Sequence, residues 1–172
     1  MLDVIKEAIV MLDSDEKIEL YGFLRKSLKD DGAIKTYNVV GDFGERKTLD
    51  FYSKSPLLPN LQAVGVGTKY VDAINANNER YSIKATTNKR TSVFNGLNDP
   101  DSELPQEKKF EYVIIVMLNE DMSLKAMYEL NWEGFLLLKK WNTSKRTWYL
   151  TVTKELERKA KVLYQTESNF SI

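Results

Sequence analysis

Asp72 and Lys84 stand on either side of a polar Asn-Asn turn, in the segment Val71-Asp72-Ala73-Ile74-Asn75-Ala76-Asn77-Asn78-Glu79-Arg80-Tyr81-Ser82-Ile83-Lys84. Short runs of alternating apolar residues flank that turn, so the segment reads as a hairpin holding an acid near an amine. A carboxylate that binds a divalent cation, beside an ammonium that positions or deprotonates a water, is the minimum equipment for metal-assisted phosphodiester hydrolysis.

Two absences narrow the chemistry further. The chain has no cysteine and no histidine, which removes disulfides, thiolate nucleophiles, Ser-His triads and His-ligated zinc. Proton transfer and metal binding must then come from carboxylates, Lys, Tyr or water, and oxygen ligands favour a hard cation such as Mg²⁺. Formal net charge is zero over 172 residues, so nucleic-acid binding would have to use a local patch. The apolar fraction of 42% and charged fraction of 29% are those of an ordinary globular chain. No apolar run reaches the roughly 18 residues that cross a bilayer, and a cytoplasmic location with no membrane partner is expected.

The elements that must position these residues are legible from periodicity. Residues 2–12 and 16–28 read as amphipathic helices, the second with a capping box from Asp13 and Glu16, and Asp30-Asp31-Gly32 ends it. An extended piece is expected over 34–40, then a helix from Gly41 to about Lys54. Prolines 56 and 59 mark a loop. Strands are expected near 69–75 and 80–86, followed by a long loop over 88–106. The run 111–118 suits a strand buried on both faces, and 124–130 a half-buried one. Asn131 can cap a helix over 132–140. A strand near 147–152 and a charged helix from 154 to about 164 complete the chain. Helices first, then a hairpin-led sheet with interspersed helices, give an α/β (α+β) fold with a mixed central sheet. One domain is expected, comprising a helical N-terminal segment (1–32), a core (41–152), and a C-terminal helix and tail (153–172).

The stretches Gly67-Thr68-Lys69-Tyr70-Val71-Asp72-Ala73-Ile74, Glu79-Arg80-Tyr81-Ser82-Ile83-Lys84 and Phe110-Glu111-Tyr112-Val113-Ile114-Ile115-Val116, with Gly44-Glu45 on the preceding helix, resemble the core of the PD-(D/E)xK nuclease superfamily, the restriction-endonuclease-like fold. The likeness covers about residues 41–130. It implies that Asp72 is the first metal-binding acid, Lys84 the catalytic lysine, Glu45 the acid borne on the helix, and Ile83 the donor of a main-chain carbonyl to the metal. Ser82 departs from the pattern, which has Asp or Glu there, and this costs the site one negative charge. Glu45 or Glu79 could replace it; Glu79, three residues before Ser82, should face the other side of its strand, so Glu45 is preferred.

The resemblance implies a Mg²⁺-dependent endonuclease acting on double-stranded DNA, with Mn²⁺ as an alternative metal, a type II restriction role, a homodimer, and a cognate DNA methyltransferase as genetic companion. Thr86, Thr87, Asn88, Lys89 and Arg90 follow the lysine-bearing strand and mix cations with short hydrogen-bonding side chains suited to DNA. Lys139, Lys140, Lys145 and Arg146 interleave with Trp141 and could grip phosphates, or simply form a turn. Trp132, Trp148 and Tyr149 read as packing residues. The alternatives are a catalytically degenerate nuclease fold that binds DNA or protein, motivated by Ser82; a repair or junction nuclease; and a globular protein with no nucleic-acid role.

Overall fold

A computed structural model describes residues 1–65 and 67–166. It divides into two compact units, Met1–Val39 and Val40–Ile172. The first unit holds α1 (Leu2–Val10) and α2 (Ser14–Asp30). The capping box at the start of α2 is formed: the Glu16 N–H donates to Asp13 Oδ1 and the Asp13 N–H to Glu16 Oε2, both at 2.9 Å. No strand forms over 34–40; α3 (Val39–Lys54) begins there instead.

In the second unit α3 leads into β1 (Gln62–Ala63), β2 (Ala73–Ile74), β3 (Arg80–Thr86), β4 (Tyr112–Leu118) and β5 (Leu124–Asn131). Then come α4 (Trp132–Leu138), β6 (Lys140–Asn142), β7 (Thr147–Tyr149), α5 (Lys154–Lys159) and β8 (Lys161–Gln165). Six strands form one sheet in the order β1-β2-β3-β4-β5-β8. Every pairing in it is antiparallel except β3 with β4, which run parallel with Ser82 opposite Val113 and Lys84 opposite Ile115. The fold is therefore mixed α/β, as the element order suggested, and its sheet is mostly antiparallel.

β4 is the centre of the core. Its apolar run serves both faces: Val113 and Ile115 pack with Phe94, Phe135 and Leu150 on one side, Ile114 and Val116 with Tyr52 and Tyr81 on the other. Residues buried this fully contribute about 1.5–3 kcal/mol each. The helix α3 covers the second face and meets β3 where Gly44 lies directly against Ala85; a Cβ at Gly44 would occupy the position of the Ala85 side chain.

Three expectations need correction. The first hairpin strand is only Ala73–Ile74, because Tyr70 takes a left-handed φ of 68° and breaks the extended run. The helix expected to reach 164 stops at Lys159, and β8 joins the sheet beside β5. Mixed charge over 154–161 suggests a long helix, but the alternating Val162 and Tyr164 suit an edge strand, and pairing with β5 decided the matter. The sheet consequently extends past the expected core limit at 152. The connection 88–106 is a long loop, as expected, and isolated bridges join its Arg90 to Thr151 and its Phe94 to Trp148. The tail lies, from residue 167, outside the described residues.

Candidate active site

The hairpin forms because its turn is built from asparagines. Asn75 Oδ1 accepts the N–H groups of Asn77 and Glu79, each at 3.0 Å, and Asn78 takes the left-handed φ of 59° that asparagine tolerates. Ala73 pairs with Tyr81 and Ile74 with Arg80. Beyond Tyr81 the backbone ladder gives way to a side chain. The Ile83 N–H donates to Asp72 Oδ2 at 2.6 Å, and the Ser82 hydroxyl donates to the same oxygen at 3.4 Å. Asp72 thus acts as a strand staple with one carboxylate oxygen, and no described hydrogen bond falls on Oδ1. An N–H and C=O of one strand residue share an edge, so the Ile83 carbonyl is directed to the same side as Asp72.

Alternation then sorts the site residues. Ile83 and Ala85 face α3, whereas Ser82 and Lys84 face the opposite side with Phe94. Lys84 Nζ lies 5.3 Å from the centre of the Phe94 ring. Ser82 and Lys84 line a cleft of about 370 Å³ together with Gly67, Thr68, Lys69, Tyr70 and Asn95. The structure therefore brings Asp72, Ser82, Ile83 and Lys84 together. Glu45 stands on α3, one residue from its crossing with β3, on the face away from Lys84. Glu79 is committed elsewhere: Oε2 accepts from Asn75 Nδ2 at 2.5 Å and Oε1 from the Tyr112 hydroxyl at 3.4 Å. Its placement opposite Ser82 agrees with the parity argument.

The oxygens gathered here are of the kind a hard cation takes. One carboxylate oxygen, one main-chain carbonyl and one hydroxyl are all oxygen ligands, and Mg²⁺ is commonly held by one or two carboxylates with waters and substrate phosphates completing its shell. Among the described residues no group of three Asp, Glu, His or Cys side chains gathers.

Sequence reasoning missed the other wall of the cleft. Tyr70 packs its ring over Gly96, which has φ +71° and no room for a Cβ, and Lys109 Nζ sits 5.1 Å from the Tyr70 ring centre. The Gly-Thr-Lys-Tyr run was visible, but only the fold brings residues 93–96 against it.

The expected DNA-binding loop is partly spent on its own architecture. Thr86 is buried; its hydroxyl donates to the Arg90 carbonyl at 2.8 Å and accepts the Asn88 N–H at 3.1 Å. Asn88 Oδ1 accepts the Arg90 N–H at 2.9 Å. Arg90 stacks 3.7 Å from the Tyr149 ring centre. Thr87 is exposed, and Lys89 lines a second cavity of about 460 Å³ with Lys125 and Lys154. In the other basic stretch, Lys139 lies 3.0 Å from the centre of the Trp148 ring, where burial lowers its pKa, and Arg146 pairs with Asp99. Trp132 and Trp148 are core residues, as expected.

Two ionisable pairs outside the cleft brace the sheet. Arg80 forms a bidentate pair with Glu111 at 2.9 and 3.0 Å, which with the Arg80 N–H holds Glu111 down to about 2. Tyr52 donates its hydroxyl to Glu129; burial, and then that carboxylate, raise its pKa well above the usual phenol value. No helix among the described residues is long and apolar enough to cross a membrane. Compared with known proteins, the sequence matches no protein-family model and no curated protein.

Proposed function

We propose that this chain is a restriction-endonuclease-like, metal-dependent endonuclease that hydrolyses phosphodiester bonds of double-stranded DNA, acting in the cytoplasm as a homodimer beside a cognate methyltransferase. The observation that supports the reading is that Asp72 is hydrogen-bonded to Ser82 and Ile83 on the strand that bears Lys84, with Ser82 and Lys84 lining one cleft. Asp72 and the Ile83 carbonyl would hold Mg²⁺ or Mn²⁺; Glu45, which the resemblance makes a second acid, stands on α3 across the sheet from Lys84 and would not join them. The cation, when bound, supplies Lewis-acid polarisation of the phosphate and a more acidic water. Lys84 orients the attacking water and offsets charge developing on the phosphate oxygens. Its ammonium lies over the Phe94 ring. Thr87 and Lys89, with Lys125 and Lys154 beyond them, offer contacts to the DNA backbone.

Ser82 favours a second reading, a degenerate nuclease fold that binds DNA without cutting it. It is 2% exposed and hydrogen-bonded to Asp72 in the position where the family pattern has an acid. One experiment separates the readings: long mixed-sequence DNA incubated with protein and Mg²⁺, beside EDTA and Lys84→Ala controls. Discrete fragments lost in both controls support the enzyme. DNA binding without cleavage in any metal or salt supports the degenerate module, and preference for branched DNA would point to repair. Absence of both binding and cleavage overturns the proposal.

A further inference from the structure

The second cavity, of about 460 Å³, gathers charge that the sheet itself does not need. Three lysines border it from segments far apart in sequence: Lys89 after β3, Lys125 in β5 and Lys154 in α5. Backbone hydrogen bonds fix two of these places, since the Lys89 carbonyl accepts the Val152 N–H at 2.7 Å and the Lys125 carbonyl accepts the Thr166 N–H at 3.0 Å. All three residues are exposed, and none of their ammonium groups forms an ion pair among the described residues. Like charges around one space repel one another, and an anion placed between them turns that repulsion into attraction.

The rest of the lining says what the anion is attached to. Met117, Ala126, Tyr128 and Val152 give the cavity an apolar floor that belongs to the core beneath it. The carboxylate in the lining, Glu157, accepts the Tyr128 hydroxyl through Oε1 at 3.3 Å, and no described hydrogen bond falls on Oε2. A bare inorganic anion would use the lysines alone. A duplex laid across them would use their charges and leave the cavity empty. A small molecule that joins a phosphate to an apolar ring and to hydroxyl or amino donors uses lysines, floor and carboxylate together. The volume falls within the roughly 300–1,000 Å³ in which proteins enclose a single small ligand.

We infer that this cavity binds a free nucleoside phosphate. Lys89, Lys125 and Lys154 hold the phosphate, the apolar floor receives the base, and Glu157 Oε2 accepts from a sugar hydroxyl or a base amino group. The inference stands apart from the nuclease reading, in which the same lysines meet a DNA backbone, and binding requires neither DNA nor metal.

The test is equilibrium dialysis of the full chain, in EDTA and without DNA, against AMP, GMP, CMP and UMP, with inorganic phosphate and the four nucleosides alongside. At least one nucleotide should bind, one per chain, with a Kd below about 1 mM, and inorganic phosphate and the matching nucleoside should bind at least about tenfold more weakly. Lys125→Ala and Lys154→Ala should each weaken that binding about tenfold or more, through loss of a charge-assisted bond to phosphate. Both side chains are exposed, so the fold should survive, and an unchanged urea midpoint checks this. No nucleotide bound at about 1 mM overturns the inference. So does inorganic phosphate binding as tightly as the nucleotides, or nucleotide binding that the two substitutions leave unchanged. Affinity for duplex DNA lost in the same variants without any nucleotide binding also overturns it and leaves the lysines as backbone contacts. Cleavage in Mg²⁺ is a separate measurement, so failure here leaves the nuclease reading standing.

Discussion

Asp72 has two duties in this structure, and substitution can separate them. Asp72→Ala removes the acceptor of a 2.6 Å bond from Ile83 and of the Ser82 hydroxyl, in a place where both donors are buried. A hydrogen bond to a charged group is worth about 1.5–3 kcal/mol, and a stranded buried N–H costs a similar amount. The alanine variant should therefore lose about 2–3 kcal/mol, a urea midpoint shift on the order of 1 M for a slope of ~2 kcal/mol/M. Asp72→Asn keeps a carbonyl acceptor and gives up only the charge, so its stability should fall by about 1 kcal/mol or less. Its cleavage rate should nevertheless drop by roughly 10²–10³, the usual cost of removing one charged element of a transition-state cradle. Urea unfolding in EDTA reads the first quantity, and a Mg²⁺ cleavage time course the second. If Asp72→Asn cleaves DNA at nearly the wild-type rate, Asp72 is a strand staple and nothing more, and the reasoning that makes it a metal ligand is refuted.

Ser82→Asp sets a second carboxylate beside Asp72; we expect a loss of about 1–3 kcal/mol in EDTA that Mg²⁺ restores, since a cation relieves the repulsion of paired acids, and melting without any metal dependence would contradict it. Gly44→Val forces α3 away from Ala85 and should cost about 1–3 kcal/mol by overpacking while reducing cleavage by displacing β3, the strand that carries Lys84, as checked by thermal melts and activity on the folded fraction. The Arg80–Glu111 pair gives a pH signature. Because the folded carboxyl is held at about 2, below its unfolded value of ~4.3, its stabilisation is full above about pH 4.3 and disappears as pH falls toward 2. Discounted for partial exposure, that contribution is on the order of 1–2 kcal/mol; urea midpoints of wild type and Glu111→Gln between pH 7 and 3 should converge at the acid end.

Much of the hairpin was legible because its information is local. Asparagines at 75, 77 and 78 specify the turn, and a strand period of two puts Ser82 and Lys84 on one side and Glu79 on the other whatever the rest of the chain does. The continuous apolar run at 112–118 likewise declares a strand with both faces covered, and Asp13 with Glu16 declares the start of α2. Lack of histidine and cysteine restricts the chemistry whatever the fold.

Tertiary structure decided what depends on distant partners. Charges at 154–161 satisfy a helix, but the open edge of β5 captured 161–165 as a strand, because backbone pairing and side-chain packing outweigh weak helix propensity. Thr86, Asn88 and Arg90 look like donors for DNA, yet 86–90 folds upon itself and against 149–152, and consumes several of them. Tyr70 enters the site through a left-handed backbone, with its ring over Gly96. Glu45 is the clearest case: helical periodicity places it on α3, but which face of β3 that helix covers is fixed by Gly44 fitting against Ala85, a contact 41 residues apart in sequence. Residue types and local periods thus determined the equipment of the site, while long-range packing determined which pieces of it meet.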